Sequence, residues 1–310
     1  MFNKIFTLLT IIIILLIIGG GLYIFFVIFG GTTSIKVSMG QNFQWQDFEP
    51  TAIALEPTIK TLFVTDNKSK SIKKFIVSEE SISYSSNIGR LGNDVGEFRH
   101  PVDIAIDKNS FVYVLDFYLS KVTKMDSYGK VIWEFGKFGN AETDLANPKG
   151  LGIDRIGFLY IADSSNNRIV KIDLNGNFNM LFGKLGKEPF QFNNPSDVAV
   201  DSKGYIYVCD TNNDRIQIFD SNANFISYTN YENQLQKPEK IYISEDDSLY
   251  IIASNSIIKA SSNKVLKNIN PFFDRKRYQM IDILKWVDKI YILYIDKQSG
   301  KGGIKVQIEN

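Results

Sequence analysis

From Ile5 to Phe29 the chain runs 25 residues without a charge, broken only by Thr7, Thr10 and the triplet Gly19-Gly20-Gly21. Beyond it the pattern changes to short apolar or alternating runs, each stopped by a cluster of Asp, Asn, Ser and Gly. As a helix the first run reaches roughly 37 Å at about 1.5 Å per residue, enough to cross a hydrocarbon core of about 30 Å. A secretory apolar region is shorter, about 7–15 residues, and a small-x-small cleavage site follows it. No such site follows here. The pattern predicts an uncleaved transmembrane helix over 5–29, after a short cytoplasmic N-terminus at 1–4 and before a linker at 30–33. A cleaved signal and a buried core helix are the alternatives. Lys4 and the amino group precede the run, which keeps the N-terminus cytoplasmic and exports the body from a single-pass position in the cell membrane. Lys36 on the far side weakens that asymmetry.

The later pattern repeats. Pro101, Pro148 and Pro195 are 47 residues apart, as are Asp116, Asp163 and Asp210. Gly89-Arg90-Leu91-Gly92, Gly136-Lys137-Phe138-Gly139 and Gly183-Lys184-Leu185-Gly186 keep the same interval. Weaker copies start at Pro50 and Pro238, and a last one contains Lys289-Ile290-Tyr291-Ile292-Leu293-Tyr294, which makes six. Within a unit, Asp197-Val198-Ala199-Val200 predicts a first strand and Asp201-Ser202-Lys203-Gly204 a tight turn. Tyr205 to Cys209 is a second strand, Asp210 to Asp214 a polar bend and Arg215 to Phe219 a third strand. Asp173-Leu174-Asn175-Gly176 marks the turn before a fourth strand, with Asp capping its own backbone and Gly supplying positive φ. Four antiparallel strands per repeat, six times over, predict an all-β chain: a six-bladed β-propeller over 34–310. A linear β-solenoid is the alternative and lacks these hairpin turns.

The order of Pro, strand, Asp turn, strand, Asp-x-x-Asn-x-Arg-Ile, strand, Asp-x-x-Gly, strand and Phe-Gly resembles the NHL repeat. Asp163-Ser164-Ser165-Asn166-Asn167-Arg168-Ile169 carries the resemblance most fully, and Asp210 to Ile216 nearly so. It spans roughly 45–310 and is specific over 89–220. Ser71 stands where Arg belongs after Asp66, Ala253 replaces the Asp of the fifth unit, and the last unit lacks the motif. An exported propeller on one anchor also resembles sensor or scaffold ectodomains of bacterial envelope proteins. The resemblance raises enzymes as well. The peptide-amidating lyase on NHL repeats needs several histidines, and gluconolactonase-like and paraoxonase-like propellers hold calcium in the channel.

Composition narrows the chemistry. One Cys excludes an intramolecular disulfide and Cys-rich zinc sites, and one His excludes any site that needs two imidazoles. Lys and Arg number 35 against 34 Asp and Glu, a balance that excludes a dedicated nucleic-acid binder. No nucleophile-elbow, zincin, P-loop or dinucleotide motif occurs.

The positions just inside each Pro are Asp103, Gly150, Asp197 and Lys240, with Lys149 and Glu239 beside two of them. Two carboxylates among lysines form a mixed ring that neutralises itself, whereas calcium takes six to eight oxygens. No cofactor is expected, with calcium as the alternative. Arg90, Lys137 and Lys184 share one repeat position and predict an arc of positive charge on one face. His100 falls near the channel mouth, and Asp274-Arg275-Lys276-Arg277-Tyr278 has the composition of an exposed basic loop. Asp116/Lys121, Asp163/Arg168 and Asp210/Arg215 read as pairs that fix the hairpin bends, and Cys209 as a small core residue. Ser34 to Gly40 is expected to close the ring against 304–309. The expected function is a membrane-tethered binding, scaffold or sensor module for an extracytoplasmic protein, glycan or small ligand. The alternative is a hydrolase or lyase with a divalent metal at the mouth.

Overall fold

The computed structural model describes residues 11–18, 21–28, 42–44, 48–78, 81–231, 235–254, 256–261, 264–269, 274 and 276–308. It divides into two compact units, Met1–Ser38 and Met39–Asn310.

In the first unit Ile11–Ile18 pairs antiparallel with Gly21–Ile28, so the helix expected over 5–29 is replaced by two strands where the chain is described. Isoleucine fills six of the eight positions of the first strand. Its branched Cβ favours the pleated chain over the helix. Gly19 and Gly20 in the sequence disfavour helix propagation through the run. No helix among the described residues is long and apolar enough to cross a membrane.

The second unit holds six four-stranded antiparallel sheets. We number the blades by their chain segments: 50–88, 101–135, 150–182, 197–229, 238–269, and 278–308 with 42–44. Each inner strand starts at the face of the Pro residues, so the polar bends and the loops between blades gather on that face. The Asp-Gly turns gather on the opposite one. Second strands are buried at every position in blades 2, 4 and 5. Outermost strands are more exposed, and in Phe178–Phe182 only Phe182 is buried. Adjacent blades bury their facing sides together: Tyr113, Leu115 and Val122 of blade 2 share one core with Leu151, Leu159 and Ile161 of blade 3.

Turn chemistry repeats with the sequence. Asp107, Asp154 and Asp201 each cap their own turn and also accept a bond from the hydroxyl of Tyr113, Tyr160 or Tyr207 six residues on. One aspartate thus fixes both the turn and a large buried side chain of the next strand.

Ring closure follows the expected principle, and the described part of the closing strand is Asn42–Gln44. The last blade lacks an outermost strand of its own, and Asn42–Gln44 supplies it, with Asn42 opposite Lys305 and Gln44 opposite Gly303. Ser34 to Gly40 lies outside the described residues. The segment that follows Asn42–Gln44 is anchored at Gly302, whose N–H donates to the Phe48 carbonyl at 2.8 Å. A Cβ there would stand 2.2 Å from Pro50 Cδ. The chain is therefore pinned against the last blade directly before blade 1.

Candidate functional site

The bend aspartates are structural anchors. Asp163 accepts a bond from the Ala146 N–H at 2.7 Å and pairs with Arg168 Nε at 2.7 Å, and Asp210 does the same with Asn193 and Arg215 at 2.7 and 2.8 Å. Arg168 then spends its other nitrogens on the carbonyls of Asn140, Ala141 and Asp144, and Arg215 on those of Glu188 and Gln191. These carbonyls belong to the loop that enters the same blade. The Asp-x-x-Asn-x-Arg bend and the Gly-x-x-Gly loop are thus one hydrogen-bonded unit. Asp116 and Lys121 depart from the expected pairing. Asp116 caps the N–H groups of Arg99, His100, Tyr118 and Leu119. The lysine ammonium instead reaches Glu134 at 2.7 Å, because Lys lacks the planar fork that lets Arg face carboxylate and carbonyls together.

On the axis, inner strands have one edge without a partner strand, so their N–H groups need other acceptors. Three carboxylates serve six of them. Asp103 accepts from Ile104 at 2.9 Å and Leu151 at 2.7 Å. Asp197 accepts from Val198 and Ile241, both at 2.9 Å. Asp282 accepts from Ile283 at 2.8 Å and Ile53 at 2.9 Å. Blades 2, 4 and 6 each tie themselves to the next blade. Blades 1 and 3 carry Ala52 and Gly150 at this level, and a Cβ on Gly150 would stand 2.3 Å from Asp197 Oδ1.

Blade 5 contributes Lys240, whose ammonium lies 3.0 Å from Asp103 Oδ1 with 13% of its side chain exposed. Burial alone would lower the Lys240 pKa, but Asp103, Asp197 and Asp282 outweigh it and hold the ammonium charged. Burial raises Asp197 well above the usual carboxylate range, against the pull of Lys240, and raises Asp282 to about 6. The donor set does not fit a divalent ion. The carboxylate oxygens are engaged by N–H groups, an ammonium stands among them, and no cluster of three or more metal-ligating side chains occurs among the described residues.

Above this plug, at the Pro face, opens a cup of about 590 Å³ whose wall includes Glu49, Asn67, His100, Lys149, Asn194 and Glu239. A separate cup of about 280 Å³, lined mainly by aliphatic residues with Tyr242 and Trp286, opens at the other end. In the mouth cup the Ser196 hydroxyl is committed to the Glu239 carbonyl and that of Thr211 to the Pro238 carbonyl, both at 2.8 Å. Lys149 Nζ donates to Asn194 Oδ1 at 3.1 Å. His100 meets Asn67 through Nδ1 and packs its ring against Phe117 and Tyr118. Burial and Lys70 push the His100 pKa down; burial also lowers Lys149 and raises Glu239.

The expected binding residues therefore fall into three places. Asp103, Asp197 and Lys240 are on the axis, and His100 and Lys149 are in the cup wall. Arg90, Lys137 and Lys184 are on the rim loops outside the cup. Arg90 pairs with Glu97 at 2.7 Å and Lys137 with Asp144 at 4.0 Å, the cations 81% and 80% exposed over acids 12% exposed. Gln191 takes the acid's position beneath Lys184. The expected basic loop does not stay free at Arg277, which pairs with Asp296 at 2.9 Å. Cys209 is fully buried, and burial pushes its thiol up, away from reactivity. Sequence reasoning missed Asp282, Glu49, Asn67 and Asn194. Asp282-Ile283 matches Asp103-Ile104 and Asp197-Val198, a signal hidden because the sixth unit has no Pro marker.

A model of the NHL repeat matches residues 192–219. Comparison with curated proteins finds no match. Among solved structures, virginiamycin B lyase from Staphylococcus aureus is 17% identical with a TM-score of 0.59, covering 87% of this chain and 88% of that one. A nidogen/laminin complex is 19% identical with a TM-score of 0.58, covering 73% and 81%. The extracellular domain of a putative hybrid two component system from B. thetaiotaomicron is 12% identical with a TM-score of 0.56, covering 87% of this chain and 42% of that one. At these identities the likeness is one of fold. The chain is a six-bladed propeller of four-stranded blades with an NHL repeat in its fourth blade.

Proposed function

We propose that this protein is a membrane-tethered, extracytoplasmic propeller that binds a ligand at its mouth, as a binding, scaffold or sensor module of the cell envelope. The observation that carries the reading is the cup of about 590 Å³, which reaches Lys240 on the axis and is walled by the charged side chains of Glu49, Lys149 and Glu239. The tether is the uncharged stretch 5–29, with Lys4 on the cytoplasmic side. Within lipid a helix satisfies all its backbone groups, while a two-stranded hairpin leaves two open edges, so the helix is the membrane form of this segment. The partner is an extracytoplasmic protein, glycan or small ligand rather than nucleic acid.

One observation favours a second reading as a lyase. His100, the single histidine, lies in the cup, and a structure of virginiamycin B lyase with Quinupristin is described as catalytically inactive through a histidine-to-alanine change. Burial keeps His100 neutral and able to accept a proton. A photoreactive residue at Asn194, in the cup, compared with one at Ser202, on the opposite face, tests the binding reading in cells. Adducts from Asn194 alone, persisting in His100→Ala, are expected. Adducts from neither site, or from both equally, overturn it. Unaltered capture with loss of ligand turnover in His100→Ala establishes the lyase.

A further inference from the structure

Resting on the mouth as a binding site, we propose that the cup takes a small zwitterion, a short peptide with both termini free, its ammonium on Glu239 and its carboxylate on Lys149. The two residues hold the same repeat position, directly after Pro148 and Pro238, in blades 3 and 5. Ser196 holds that position in blade 4 between them, so the charges stand two blades apart around the axis. Their backbones are fixed there: the Lys149 N–H donates to Ala162 at 3.0 Å, and the Glu239 carbonyl accepts from Ser196 Oγ at 2.8 Å.

Each charge is short of partners. The ammonium has three donors and uses one, on Asn194 Oδ1. The Glu239 carboxylate accepts no hydrogen bond among the described residues, and no ion pair within 4.0 Å joins it to Lys149. Burial weakens the charged form of both; each senses the other, and Glu239 senses Lys237 as well, with no ion pair to it within 4.0 Å. A ligand that carries the opposite charge at each end restores what the cup withholds, through two charge-assisted contacts. A simple anion would meet Glu49 and Glu239, and a simple cation would meet Lys149 and Lys240. A neutral sugar would leave both charges unpaired. The wall also offers the amide of Gln279 and the amide nitrogens of Asn67 and Asn194, whose oxygens already meet His100 and Lys149, groups suited to a peptide. A cup of about 590 Å³ lies in the range of small-molecule sites and leaves room for more than one residue.

Calorimetry on the full chain in detergent tests this with trialanine, its N-acetyl form and its C-terminal amide. Trialanine should bind, and each blocked peptide should bind at least about tenfold more weakly, as expected for the loss of one charge-assisted bond. Glu239→Gln should weaken trialanine and no longer distinguish it from the N-acetyl form; Lys149→Gln should no longer distinguish it from the amide. The blocked peptides test the unaltered protein, so the result does not depend on the variants folding. Equal binding of the three, or binding of none, overturns the proposal. If none binds while photoadducts at Asn194 persist, the zwitterion falls and the mouth reading stands; if the adducts are also absent, both fall.

Discussion

Arg168 joins a buried carboxylate to three loop carbonyls. Arg168→Ala would leave Asp163 buried without its cation and should cost about 3 kcal/mol, read as a lowered urea midpoint. Arg168→Lys restores a charge without the fork, as Lys121 illustrates beside Asp116, and should recover only part of that loss. Asp282 carries a pH dependence of definite sign. Its folded pKa of about 6 lies above an unfolded value of about 3.9. Between the two the folded state holds more protons, so its contribution is full below the lower value and is lost as pH rises through the higher. Lys240 stays charged across this window, flanked by Asp103 and Asp197, and Asp197 is raised in the same direction. Asp296, held low by Arg277, and Asp246, held low by Ser244, titrate below it. His100, lowered by burial, slopes the other way. The difference between the protein and Asp282→Asn therefore reads Asp282. Thermal scans from pH 4 to 7 should show the variant's melting temperature falling less; parallel curves would refute the assignment.

At the scale of elements, the blade-entry loops and polar bends act together because one arginine spans both. Their common 47-residue period is visible along the chain, but the hydrogen bonds that join them are not. Closure gives a sharper test. Phe43 sits opposite Ile304 in the strand that completes the last blade. Phe43→Pro combined with Gln44→Pro removes a ladder donor, because neighbouring N–H groups of a strand point alternately toward and away from the partner, and should cost on the order of 1–2 kcal/mol, with a single cooperative melt shifted downward. Ser34→Pro should leave the melt unchanged if Asn42–Gln44 is the closing strand. The opposite ranking would return closure to the earlier segment. The need for a closing strand is legible from an incomplete last repeat. Its location is not, because it depends on how Phe48 and Pro50 seat on Gly302.

For the whole molecule, the proposed position in the cell rests on the charge flanking the apolar run. A reporter active only after export, fused behind Asn310, should be active; normal expression without activity would place the propeller in the cytoplasm and remove the envelope reading. The repeat, the strand count per blade, the turn chemistry and the exclusion of multi-histidine or multi-cysteine chemistry are all legible along the chain. These are local or periodic properties, set by alternation, by Gly and Asp at turns, and by composition. The sequence placed two of the three axial aspartates as well, because they follow the Pro marker. Only the tertiary structure decided what meets across the ring. Asp103, Asp197, Asp282 and Lys240 converge from four blades, spread over 180 residues of chain, because closing six twisted sheets brings their unpaired inner edges onto one axis. The opposition of Lys149 and Glu239 arises in the same way. Their shared repeat position is local information, but their distance from each other, and the absence of an ion pair between them, belong to the closed ring.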